Sequence, residues 1–256
     1  MLVNFINEIT NFQLTNFQWL LAFLGSFFLG LSKAGIKGVG VIIVTIMAIV
    51  FGGKSSTGVL IPMMIFADIF AVIYYHRHTQ WEYLLKLLPA MVVGVLLGVL
   101  IGNDISDIVF KQTMAVLILG IVLFMIYMER KKSDEIPKNR FFSLSMGLIA
   151  GFTSMIGNLA GAFSNIYFLA MRLPKNQFIG TAAWLFFIIN VFKLPFHIFV
   201  WKTVSVQSLA LNIFLIPAIV IGFFAGISLV KLINDELYRK FILIVTAIGA
   251  LIILFK

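Results

Sequence analysis

The 256-residue chain has no cysteine, which removes disulfides, thiolate metal sites and thiol nucleophiles from consideration. It is also poor in charge. Only 11% of its residues are Asp, Glu, Lys or Arg, against 61% apolar, and a soluble domain of this length has too little interior to hide that much apolar surface. No G-x-S-x-G elbow, no H-E-x-x-H and no G-x-x-x-x-G-K-[ST] phosphate loop occurs, so three common catalytic designs lack their residues. The expectation is a protein that is not an enzyme and uses no cofactor or metal. The first sixteen residues carry one charge, Glu8, and lack the basic region and small-residue cleavage site of a removable signal.

What the chain does have is a succession of apolar segments, close to the roughly 20 residues that a spanning helix needs. They cover 17–32, 38–53, 57–75, 84–101 and 108–128, then 141–157, 159–171, 178–200, 207–230 and 238–255. Between the two sets lies ERKKSDEIPKNR, residues 129–140, the one long polar stretch. Its positive charge marks a cytoplasmic linker, because cytoplasmic loops collect Lys and Arg. The net charge of +9 has the same origin, and no nucleic-acid partner is expected.

The two sets resemble each other. Pro89-Ala90-Met91-Val92-Val93-Gly94 and Gly98 recur 128 positions later as Pro217-Ala218-Ile219-Val220-Ile221-Gly222 and Gly226. At the same shift Asp107, Phe110 and Lys111 fall on Asp235, Tyr238 and Arg239, while Gly58 and Asp68 fall on Gly180 and Asn190 at a shift of 122. This pattern predicts an internal duplication, 1–128 and 141–256 about the linker. Each half holds an odd number of crossings, so the halves are expected to be inverted. A cytoplasmic linker then places Arg77, Lys86, Arg172, Lys175, Lys231, Arg239 and Lys240 inside. Lys54, Lys111, Lys202, Lys256 and both termini fall on the extracytoplasmic side, which satisfies the positive-inside rule. The expected fold class is an all-α polytopic membrane protein of two inverted repeats. Each repeat has a short broken or re-entrant helix pair followed by three longer transmembrane helices, 8 to 10 apolar segments in all.

The short segments point to function. At ~1.5 Å per residue, 17–32 and 159–171 fall short of a ~30 Å hydrocarbon core. Each pair is joined by glycine-rich sequence, GLSKAGIKGVG at 30–40 and GFTSMIGNLAG at 151–161, where helix propensity is low and backbone can approach closely. Broken helices in two inverted halves are a pointer to a transporter site, and helix N-termini suit anions. The competing reading is that the glycines serve only tight helix packing.

These residues also carry a resemblance. GLSKAGIKGVG, STGVLI at 56–61, the series Tyr74, Trp81, Pro89, Gly94 and Gly98, and the later Gly157, Gly161, Gly180 and Thr181 together resemble the TauE/SafE sulfite exporter family of membrane anion transporters. The resemblance runs from about Leu21 to Leu254. It implies two inverted repeats, no cofactor, and movement of sulfite or small organosulfonates. The chain departs from the family pattern at Gly157-Asn158-Leu159-Ala160-Gly161 and at Lys37, where many members are uncharged.

Ionisable residues inside a membrane face a cavity or a partner, since burying one costs about 2.5–3.5 kcal/mol on insertion scales. Asp68, Lys193, Lys33 and Lys37 stand in this position. Lys33 and Lys37 read either as an anion-binding pair, with Gly35, Gly38, Gly157 and Gly161 bringing backbone N–H groups close, or as a cytoplasmic loop. Asp68 reads either as a proton-coupling carboxylate or as half of an ion pair with Lys193. Asn158 and Thr181 are candidate donors to substrate oxygens or ordinary interhelical hydrogen-bonders. Asn190 and His197 are candidate coupling or gating groups at matching depth, and Trp184 a candidate cavity wall. Trp19, Trp81 and Trp201 read as interfacial anchors, and His76-Arg77-His78 as cytoplasmic surface rather than metal ligands.

The sequence thus leads to a secondary transporter of a small sulfur-containing anion in a bacterial-type plasma (inner) membrane. Protons are the candidate coupling ion, lipid surrounds the chain, and a homo-oligomer is compatible with it. A passive anion channel and a membrane scaffold without transport are the alternatives.

Overall fold

The computed structural model describes residues 7–10, 12–106, 108–110, 112–114, 116, 117, 120, 123, 139–234, 237 and 238. Most of segment 108–128, of linker 129–140 and of segment 238–255 lies outside the described residues. So do Asp107, Lys111, Asp235, Arg239, Lys240, Lys256 and both chain ends.

Every regular element among the described residues is helical. In chain order these are α1 (Asn16–Ala34), α2 (Gly40–Phe51), α3 (Gly53–Tyr75), α4 (Trp81–Asn103), α5 (Arg140–Gly157), α6 (Ala160–Ala170), α7 (Lys175–Pro195) and α8 (Val206–Lys231). A 3₁₀ turn at His76–His78 prolongs α3, and a π turn at Phe196–Val200 prolongs α7. Six of the helices, α1, α3, α4, α5, α7 and α8, are long and apolar enough to cross a membrane, whereas α2 and α6 are too short. The first segment was expected to be short, and here the structure differs. The helix starts one residue earlier and continues through Lys33-Ala34 into the glycine-rich stretch, giving 19 residues or roughly 28 Å. The short member of each pair is therefore the second, α2 with 12 residues and α6 with 11.

Three helix starts, those of α1, α5 and α8, are capped by side chains. Thr15 and Gln18 form a reciprocal capping box at α1, Ser205 and Ser208 another at α8, and Asn139 accepts from the Phe142 N–H at α5. Each satisfies backbone donors that a helix start leaves free.

Packing between the two parts of the chain rests on glycine. α4 lies on α5 so closely that a β-carbon at Gly94 would stand 2.1 Å from the Leu148 carbonyl oxygen. One at Gly151 would stand 1.9 Å from that of Met91. α8 lies on α1 in the same manner, with Gly30 against Ile219 O and Gly222 against Phe27 O, each at 2.1 Å. Backbones this close gain dispersion contacts that larger residues would forbid, which is how helices associate where lipid removes the hydrophobic drive. Gly94 and Gly222, matched in the sequence, thus each seat a tightly packed helix pair. Gly58 and Gly180, also matched, pack on Thr203, which follows α7, and on Tyr75, which ends α3.

Two tryptophans depart from the anchor role. Trp19 is 3% exposed and donates from Nε1 to Asn7 Oδ1 at 3.0 Å; Trp201 is 6% exposed and donates to Val99 O at 3.2 Å. Each found an acceptor within the protein, so each turned inward. Trp81, 47% exposed, keeps a position open to an interfacial role. His76, Arg77 and His78 are exposed, and no metal-holding cluster occurs among the described residues.

Candidate functional site

The two short helices begin without side-chain caps, as do α3, α4 and α7. α2 follows Val39 and α6 follows Leu159, and neither preceding residue caps the helix with its side chain. The first N–H groups of each helix have no intrahelical acceptor, and the two starts carry the positive ends of their helix dipoles. The breaks ahead of them use left-handed backbone: Gly35 at φ +124°, Gly38 at φ +97° and Asn158 at φ +56°. Asn tolerates this conformation better than most residues with a side chain, which accounts for helix α5 ending at Asn158 rather than at a glycine.

The starts of α2 and α6 line common space. Two cavities of about 60 Å³ each lie between them. Ser32, Lys37, Gly40, Asn158, Gly161 and Phe186 border both, Lys33, Ser154 and Asn190 border one, and Gly38 and Asn165 border the other. Each is large enough for a few waters or a small anion.

Charge gathers at this space. Lys33 and Lys37, 7% and 3% exposed, are buried rather than in a solvated loop. Their ammonium groups lie 5.0 and 5.6 Å from the centroid of the same Phe186 ring, within cation–π range. Lys33 Nζ also stands 2.6 Å from Asp68 Oδ1, and Lys37 Nζ donates to Ser32 O at 3.1 Å. Asn190 Nδ2 donates to Asp68 Oδ2 at 2.7 Å, so two residues that the sequence pattern pairs at a shift of 122 meet each other. The alternative reading of Asp68 as half of an ion pair with Lys193 is not met: its partner is Lys33. Lys193 turns to the α5 end instead, donating to Ser154 O at 2.9 Å and to Asn158 Oδ1 at 2.8 Å. It thereby satisfies a helix-terminal carbonyl, a favourable place for a cation. Asn158 in turn donates to Thr57 O at 3.3 Å.

Of the candidates, Lys33, Lys37, Gly38, Asn158, Gly161 and Asn190 border the cavities, and Asp68 and Lys193 are reached from them through one contact. Five others lie away from them. Gly35 packs toward Ile179 and Val230, and Gly157 toward Leu159 and Met114. Thr181 Oγ1 accepts from the Gln80 N–H and donates to Gln177 O, which ties α7 to the turn after α3. Trp184 packs on Trp81 and Phe187. His197 lies in the π turn, against Thr203 and the Trp201 ring.

Sequence reasoning missed Ser32, Ser154, Asn165 and Phe186. Helical spacing held a signal for two of them. Phe186 precedes Asn190 by one turn and so shares the face of α7 that carries Asn190 and Lys193, and Asn165 follows Gly161 by one turn of α6. Ser32 and Ser154 gave none, because part of their contribution is a backbone carbonyl.

Helices of spanning length and a buried cationic cavity between two uncapped helix starts define a polytopic helical membrane protein with an anion-compatible centre. The chain belongs to the sulfite exporter TauE/SafE family, whose model matches residues 20–253. That family consists of transporters rather than enzymes. No curated protein and no solved structure matches the chain.

Proposed function

We propose that the protein is a secondary transporter that moves sulfite or a small organosulfonate by alternating access around the space between the starts of α2 and α6. One observation carries the reading: two buried lysines, Lys33 and Lys37, share a cavity with two helix starts that no side chain caps. Cations and free N–H groups together supply both the charge and the directed donors that an oxyanion needs. The paired glycine contacts of α4 on α5 and of α8 on α1 support the reading of two inverted repeats, and the meeting of Asp68 with Asn190 suits a pseudo-two-fold axis through the site. In this reading α1–α2 enters from the extracytoplasmic side and α5–α6 from the cytoplasm, with both chain ends outside a bacterial plasma membrane. Asp68, held by Lys33 and Asn190, is the proton-coupling group. Lys193 keeps Asn158 oriented at the break.

The test is uptake of labelled sulfite and organosulfonates into vesicles holding the purified protein, with and without a pH gradient. Saturable uptake that responds to the gradient is expected. Absence of flux for every sulfur oxyanion contradicts the substrate assignment, and flux that ignores the gradient removes the role of Asp68.

A further inference from the structure

A separate polar cavity, of about 350 Å³, lies where the end of α3, the start of α7 and the end of α8 meet. Its size falls within the roughly 300–1,000 Å³ of small-molecule pockets. Tyr74, Tyr75, His78, Lys175, Asn176 and Lys231 line it, and no carboxylate does among the described residues. His78, Asn176 and Lys231 are exposed, so the mouth opens to the surface. Lys175 donates to Val230 O at 3.0 Å and to Ile233 O, a cation set on the terminal carbonyls of α8. Lys231 Nζ stands 6.0 Å from the centroid of the Tyr74 ring, at the outer limit of cation–π range. Tyr75 is buried and its hydroxyl donates to Ala34 O at 2.9 Å, which ties the inner wall to the end of α1.

The surface that leads away from this cavity is aromatic. Phe66, Phe70 and Tyr74 follow one another at intervals of four and so share one face of α3. The rings of Phe66 and Phe70 lie 5.0 Å apart, and Phe223 of α8 meets Phe70 at 5.8 Å and Tyr74 at 6.5 Å. Phe66 and Phe70 are half-buried and Tyr74 is exposed, so the seam stays open along the helix side. A basic chamber at the helix ends therefore continues into an apolar groove at the depth of the spanning segments. A free phosphate could use only the chamber, whereas a lipid uses both parts.

The geometry points to a binding site for an anionic glycerophospholipid, with its phosphate in the chamber beside Lys231 and His78 and an acyl chain along the Phe66–Phe70–Tyr74 seam. Basic pockets between spanning helices on the cytoplasmic side take anionic headgroups, and in the orientation proposed above this end of the helices is cytoplasmic. The two lysines favour an anionic over a zwitterionic headgroup. Lys231 sets that preference, because it stands exposed at the mouth while Lys175 is engaged with the α8 carbonyls. Such a lipid braces α3, α7 and α8 from outside and is independent of the anion carried at the breaks.

Native mass spectrometry and thermal unfolding of the purified full-length protein in a neutral detergent decide it. Phosphatidylglycerol, phosphatidylcholine and glycerol 3-phosphate are added singly. Phosphatidylglycerol is expected to bind roughly fivefold or more tightly than phosphatidylcholine, about the factor that one lysine near a membrane surface supplies. It should also raise the unfolding midpoint, and glycerol 3-phosphate should do neither. Lys231→Gln should remove most of the preference, whereas Lys202→Gln, at an exposed position beyond the π turn, should keep it. Equal binding of the two lipids overturns the inference. So does a preference that survives Lys231→Gln, or one that falls as far in Lys202→Gln. Protection by glycerol 3-phosphate equal to that by phosphatidylglycerol assigns the cavity to a soluble phosphate and overturns the lipid. The comparison of lipids on the unaltered protein stands even if the Lys231 variant does not fold.

Discussion

Asp68 and Lys33 depend on each other, because each is a buried charge whose main compensation is the other. Removing one partner of such a pair typically costs about 3–5 kcal/mol, since the survivor is left buried and unpaired. Asp68→Asn should therefore lower the thermal unfolding midpoint in detergent clearly, and adding Lys33→Met to it should restore part of the loss. A single change as harmless as the double would show that the pair is not desolvated. These residues stand out in the sequence because charge is rare in apolar runs and expensive to bury. Their partners do not. Lys193 sits three residues from Asn190, the position matched to Asp68, and is on the sequence alone one candidate counter-ion. Helix rotation instead aims it at Ser154 and Asn158 on α5, and rotation is fixed by packing between distant segments that a linear pattern does not encode.

At the level of the helices, glycine has two separate jobs, and substitution separates them. Gly30 and Gly222 sit where a β-carbon would meet a backbone carbonyl at 2.1 Å, whereas Gly40 has nothing within 4 Å. Gly30→Ala and Gly222→Ala should each destabilise the fold by about 1–3 kcal/mol, the usual cost of forced overpacking. Gly40→Ala should leave stability nearly unchanged and weaken anion binding, because it narrows both cavities at the start of α2. Unfolding midpoints and anion titrations on the same three variants check both halves of the statement; a Gly40 variant as unstable as the others would contradict it. The tight-packing reading of the glycines and the broken-helix reading were posed as alternatives, and the structure assigns them to different residues. Sequence composition marked both glycine-rich stretches, but the length of α1 was underestimated because glycine, serine and lysine at 30–34 lower local helix propensity while packing on α8 holds that turn helical.

For the molecule as a whole, the membrane-spanning character is legible in composition, since long apolar runs have few other fates, and six helices of spanning length stand among the described residues. Orientation is a separate matter, and the absence of native cysteine makes it simple to measure. Gln13→Cys and Lys202→Cys, both at exposed positions, should react with an impermeant maleimide on intact cells. Arg77→Cys, also exposed, should react only after lysis. The reverse pattern would invert the proposed topology. The meeting point of the two breaks was less legible than the breaks themselves, because it arises where α1 and α5, separated by more than a hundred residues, bring Lys37 and Asn158 to one cavity.

That shared cavity is the centre of the functional account, and exchange across a membrane tests it most directly. Vesicles loaded with unlabelled sulfite should take up labelled sulfite faster than empty ones, with saturation, as expected of one site that opens alternately to each side. Lys37→Met should reduce that exchange several-fold. Uptake that rises linearly with concentration, ignores internal sulfite and is unaltered by Lys37→Met would contradict the account and point to a passive pore.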